Sequence, residues 1–129
     1  MEREETVIDA SVALKWFLNE PGSAEATRVL GDHIAGKRVL IAPDLLLVEV
    51  ANALHFRRMP PQDIKRAFQD LADFQMEWRR LTPSLAVLAA QSAARHGLTV
   101  YDGVYAALSE VSGCVLITAD EALAKVPAA

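Results

Sequence analysis

Four carboxylates in this sequence share one situation. Asp9 closes the apolar run "TVI", Asp102 stands in "LTVYDG", Asp120 follows "VLITA", and Glu49 lies inside "LLLVEVANAL". Three of them have an ordinary explanation, because an Asp at the start of a helix accepts a bond from an unpaired backbone N–H. Ser11 could do the same for the helix that follows Asp9. Glu49 has no such explanation. Leu46, Leu47, Val48, Val50 and Ala51 surround it in what reads as mid-helix, and a carboxylate there is costly unless it is paired or holds a metal. Asn52, one turn on, is the pairing candidate. Four clustered carboxylates with no cation nearby in the sequence would repel one another and raise each other's pKa values. Mg²⁺ and Mn²⁺ resolve that repulsion, since hard divalent cations favour carboxylate oxygens and water.

Competing chemistries lack their residues. His33, His55 and His96 are scattered, and the single Cys114 in "GCVLIT" leaves no Cys/His cluster for zinc. No nucleophile elbow, P-loop or Gly-rich dinucleotide turn is present. Cys114 cannot form an internal disulfide and reads as a small buried strand residue, so a reducing cytoplasm is the expected compartment. Six cations fall in one middle stretch: Arg57, Arg58, Lys65, Arg66, Arg79 and Arg80. They read equally as solvated helix faces or as a patch for a phosphate backbone.

The elements that must position the acids alternate between strand and helix. Strands are expected at 6–9, 39–43, 77–81 and 114–118, the third of them short and weak. Helices are expected at about 11–18, 23–35, 44–58, 62–75, 83–96 and 102–112, with a last short one from about 120. Thr82 and Pro83 open the fifth helix and Gly97 closes it; Gly113 closes the sixth. The third helix, apolar on nearly every side, is expected to be central. Apolar strands alternating with helices argue for a parallel sheet covered on both faces. Sites in such sheets form at the carboxyl ends of strands, near a switch in strand order. The four acids fall at or near such ends.

Composition bounds the rest. The chain has 129 residues, 52% of them apolar, enough for one domain (1–129) with a real core and too apolar for disorder. No apolar run approaches the ~20 residues of a membrane span, and "MEREE" is too acidic for a signal peptide. A formal net charge of −4 does not favour a general polyanion binder.

Four blocks carry a resemblance to a known family: "VIDASVALKWF", "APDLLLVEVANAL", "LTVYDGVYAALSE" and "VLITADEAL". In this order and spacing they make the chain similar to the PIN-domain ribonucleases, and specifically to the VapC toxins of type II toxin–antitoxin systems. The resemblance implies a three-layer α/β/α PIN-like fold around a parallel sheet of four short strands. A fifth edge strand is left open, because the sequence given stops at "KVPAA". It implies that Asp9, Glu49, Asp102 and Asp120 are the acidic metal-binding quartet. Thr118 matches the family's Ser/Thr position in the metal-water network. Ser11 matches a polar position after the first acid and reads equally as a helix cap. Glu121 is a fifth acid that either points to solvent or assists a second metal.

The activity implied is Mg²⁺- or Mn²⁺-dependent hydrolysis of RNA phosphodiester bonds, with single-stranded or loop RNA favoured as substrate. The partners implied are a cognate VapB-like antitoxin and a second copy of the chain. By analogy, the antitoxin's groove would be formed by the apolar helices at 46–54 and 64–74. Two rivals are weaker. A receiver-like signalling domain would need paired acids after the first strand and a Lys after a later one. A catalytically inactive PIN-like binding module would not need all four acids.

Overall fold

The computed structural model of the chain describes residues 3–126. Strands β1 (Glu4–Ile8), β2 (Arg38–Pro43), β3 (Glu77–Arg79) and β4 (Val115–Ile117) form a single sheet in the order β3-β2-β1-β4. All three pairings are parallel, with Thr6 opposite both Leu40 and Val115. Seven helices accompany them among the described residues: α1 (Ala10–Leu14), α2 (Ser23–Ile34), α3 (Leu45–Phe56), α4 (Pro61–Asp73), α5 (Pro83–His96), α6 (Val100–Ser112) and α7 (Glu121–Ala124). This is the expected α/β architecture, a central parallel sheet flanked by helices. The tail at 127–129, where a fifth strand was left open, lies outside the described residues.

Strand order reverses at β1. From β1 the chain adds β2 and then β3 on one side, and β4 on the other. The crevice between the carboxyl ends of β1 and β4 is therefore the switch point, where α/β sheets place their ligands.

Local sequence explains the helix ends. Thr82 caps α5 through a bond from Leu85 N–H at 3.1 Å, Pro83 fills the first turn, and Gly97 takes the left-handed conformation that ends it. α6 begins two residues earlier than expected, because Thr99 rather than Asp102 is its cap. α1 is shorter than expected. Its last apolar residues leave the helix to pack as a cluster, Trp16 and Phe17 meeting Phe74 at ring centroid distances of 5.7 and 6.4 Å.

The core is built on Val7, Ile8, Leu40 and Ile41 of the sheet, with Leu46, Val50 and Leu54 of α3 and Tyr105 of α6 against them. α3 is not buried all round, contrary to its apolar composition. The Leu46–Val50–Leu54 stripe is buried in the core and Leu45 and Leu47 pack partly buried against it, while Val48 is 67% and Phe56 75% exposed. α5 and α6 pack through a second cluster of Leu85, Ala89, Val104 and Ala107. Gly103 permits that contact: a Cβ there would sit 2.3 Å from the carbonyl oxygen of Ala89.

Among the described residues, no helix is long and apolar enough to cross a membrane.

Candidate metal-binding acid site

Asp9 leaves the end of β1 and is 4% exposed. It is a helix cap and more than one. Its Oδ1 accepts the Val12 N–H at 3.2 Å, capping α1, and also the Ser11 hydroxyl at 2.6 Å. Its Oδ2 accepts the hydroxyl of Thr118, which follows β4. Both hydroxyl protons thus go to Asp9, so the 3.4 Å approach of Ser11 to Thr118 carries no proton between them. Ser11 is therefore not the cap. It bridges the two strand ends instead, since its oxygen accepts the Ala119 N–H at 2.9 Å.

Asp120 caps α7 through a bond from Leu123 N–H to its Oδ1 at 2.9 Å, and its own N–H donates to Thr118 at 2.9 Å. Asp102 is the third residue of α6, and its N–H donates to the Thr99 hydroxyl at 3.1 Å. Its side chain therefore has no capping duty. Glu49, half-buried beside the α3 core stripe, accepts a hydrogen bond from the Tyr105 hydroxyl. Asn52 does not fill that role: it is exposed and makes no side-chain bond to Glu49 among the described residues. Tyr105 is the residue sequence reasoning missed. It stands 56 residues from Glu49, and no periodicity connects the two.

Electrostatics tie the acids together. Burial, first of all, holds the carboxyls of Asp9, Glu49 and Asp102 above their ordinary values. Asp120 pushes Asp9 up further, although Ser11, Thr118 and Val12 oppose it. Asp102 and Asp9 push Glu49 up against the pull of Tyr105. Asp120 and Asp9 push Asp102 up against Thr99. Every pair except Glu49 with Asp120 is thus in electrostatic contact. Among the described residues, none of the four is in an ion pair.

The donor set fits a hard cation. Three of the roughly four lone-pair sites on Asp9 are taken, which leaves one on Oδ2. Asp120 has Oδ2 free of the cap, and Glu49 has Oε2 free of Tyr105. Among the described residues, no three His, Cys, Asp or Glu side chains converge enough to wrap an ion as they stand. Mg²⁺ keeps several waters and is usually held by one or two carboxylates together with substrate phosphates.

Glu121 is exposed at the start of α7 and makes no hydrogen bond or ion pair to this network among the described residues. The six cations divide. Arg57 is paired with Glu20 at 2.9 Å, and Arg79 with Glu5 at 3.3 Å, so neither is a free phosphate ligand. Arg80 is exposed just beyond the carboxyl end of β3, on the edge of the sheet that carries the acids. A cavity of about 460 Å³ lies elsewhere, lined by residues such as Ser92, Arg95, His96 and Leu123, and contains none of the four acids.

Comparison with known proteins gives the acids their family. The PIN domain family model matches residues 6–129. The chain belongs to the PIN-domain family. Ribonuclease VapC9 of Mycobacterium tuberculosis is 35% identical over 118 residues, covering 88% of this chain and 84% of the relative. Two solved structures share the PIN fold. M. tuberculosis VapC20, a toxin that cleaves the sarcin-ricin loop, aligns with a TM-score of 0.78 at 16% identity and covers 96% of both chains. A chain of a toxin–antitoxin complex from Klebsiella pneumoniae aligns with a TM-score of 0.73 at 15% identity, covering 95% of this chain and 92% of that one. The matched span contains all four acids of this PIN domain, together with Ser11, Thr118 and Tyr105.

Proposed function

We propose that this PIN-domain protein is a Mg²⁺- or Mn²⁺-dependent endoribonuclease and the toxin of a VapBC-type toxin–antitoxin pair. One observation carries the reading. Asp9 and Thr118 join the carboxyl ends of β1 and β4 at the sheet's switch point, and the hydrogen bonds to Asp9 and Glu49 come only from neutral donors. The names of its relatives, a VapC ribonuclease and toxins, point the same way.

Asp9, Glu49, Asp102 and Asp120 would hold the ion. When bound, it supplies charge neutralisation for a scissile phosphate and a bound water of lowered pKa. The protein's own part is to aim the carboxylates. Ser11 and Thr118 fix the plane of Asp9, while the α6 N-terminus presents Asp102 to the crevice. Arg80 is placed to hold a flanking phosphate, a contact that would weaken with salt.

Single-stranded or loop RNA is the expected substrate, because its bases are open to reading. The exposed Val48 and Phe56 leave apolar surface on α3, one wall of the groove assigned to a VapB-like antitoxin. A homodimer, a cytoplasmic location and a single nuclease domain over 1–129 complete the proposal.

Purified protein should cleave RNA with Mg²⁺ or Mn²⁺ and stop with EDTA. Asp9→Asn and Asp102→Asn should each abolish cleavage while the domain stays folded. Undiminished activity in EDTA would sink the reading. Expression without a partner should slow growth, and Asp9→Asn should relieve it; equal toxicity from the mutant would show another cause.

A further inference from the structure

We infer that Tyr105 is a positioning residue that holds two of the four acids, Glu49 and Asp102, in register, an inference that rests on the metal-site reading above. Its ring is 1% exposed within the core, so it fixes the rotation of α6 about its own axis. Asp102 lies three residues before it, on the same side of that helix. Its hydroxyl donates to Glu49 on α3. One side chain thus touches Glu49 and shares a helix face with Asp102.

The chemistry of the donor is the telling feature. A half-buried Glu could have been satisfied by Lys or Arg. Either would neutralise the carboxylate and compete with an incoming cation. A phenol orients the carboxylate and leaves its full charge in place. Asp9 is treated in the same way, by two hydroxyls and a backbone N–H. Neutral orienting partners of this kind fix the direction of a metal ligand without weakening it.

The test is Mn²⁺ titration of the full chain without RNA, read by the EPR signal of free Mn²⁺. Tyr105→Phe keeps the ring and removes only the hydroxyl. It should raise the Mn²⁺ dissociation constant about tenfold, the lower end of the usual effect of losing a ligand's orienting partner. In a Glu49→Gln background the same substitution should change that constant less than about twofold, because the ligand it orients is gone. Wild-type affinity in Tyr105→Phe overturns the proposal, as does an equal loss in both backgrounds. A Tyr105→Phe chain that fails to fold in EDTA, by circular dichroism, overturns it too, since the hydroxyl would then be structural. A wild type that binds no Mn²⁺ at all overturns the metal-site reading first, and is told apart from the other outcomes by that control.

Discussion

Asp9 and Thr118 are 109 residues apart in the chain and hydrogen-bonded in the fold, one at the carboxyl end of β1 and the other at the carboxyl end of β4. Thr118 serves two acids at once, because its oxygen also accepts the Asp120 N–H at 2.9 Å. Thr118→Val keeps the shape and removes both bonds. It should cost about 1–3 kcal/mol in stability, the usual penalty for stranding buried polar partners. Cleavage should fall at least about tenfold, while Thr118→Ser should retain most of both. Chemical denaturation and an RNA cleavage assay on the same preparations decide it; a valine variant as active as the serine one would show that Thr118 only fills space.

Asp102 gives a cleaner electrostatic test than the capping acids, since Thr99 caps α6. Asp102→Asn removes one of four mutually repelling charges and no helix cap. The variant should melt higher than wild type in EDTA at low ionic strength. Mg²⁺ at about a hundredfold excess over its dissociation constant should stabilise the wild type by about 2.7 kcal/mol, and the variant clearly less. A variant that melts lower in EDTA, yet gains equally from Mg²⁺, would refute the acid cluster.

The same cluster sets a pH dependence. Asp9, Glu49 and Asp102 are raised in the fold, principally by burial, from ordinary values of 3.8, 4.5 and 3.8. The folded state therefore holds their protons more tightly than the unfolded one. Their contribution is favourable at low pH and is lost as pH rises through the folded pKa values. Glu20 runs the other way. Its hydrogen bonds to Arg57 and then Lys15 lower it from 4.5, so its contribution is present at neutral pH and lost as pH falls through its folded pKa. Urea midpoints of the metal-free protein from about pH 4 to about pH 7 should show this loss of stability with rising pH. Asp9→Asn should flatten the trend; Glu20→Gln, which removes an opposing contribution, should steepen it.

Two glycines separate packing from propensity. A Cβ at Gly103 would meet the Ala89 carbonyl oxygen at 2.3 Å, a backbone atom that cannot swing aside. Gly103→Ala should therefore cost about 1–3 kcal/mol by forcing α5 and α6 apart, and it should lower cleavage because Asp102 is the next residue. Gly31, in mid-α2, has nothing within 4 Å of its added Cβ. Gly31→Ala should stabilise by about 0.4–1 kcal/mol. Thermal melts of the two variants should move in opposite directions.

Much of this was legible in sequence where a residue has one good place to be. Thr82, Pro83 and Gly97 bound α5 where their chemistry demands, and Gly113 closes α6 for the same reason. The acids at strand ends are legible because apolar strands make them conspicuous. Legibility fails where tertiary contacts decide. Asp102 and Thr99 are both good caps, and only the fold gives the duty to Thr99. Asn52 satisfies helical spacing to Glu49 but faces water. The actual partner, Tyr105, comes from another helix, and its burial gives no hint of a polar bond. The outer face of α3 is apolar yet uncovered within one chain, so composition overstates its burial.

The pairing of the first strand with the last has a consequence in time. Thr6 lies opposite Val115, so β4 reaches β1 only after almost the whole chain is available. Helices and the β1–β2 pair involve shorter separations and can form earlier, whereas closing so long a loop is slow. Until β4 docks, Asp9 lacks its Thr118 donor and Asp120 is not beside it. A polypeptide still being synthesised spends most of its elongation without Thr118 and Asp120, with Asp9 and then Glu49 already made. The acid centre thus assembles only when β4 does.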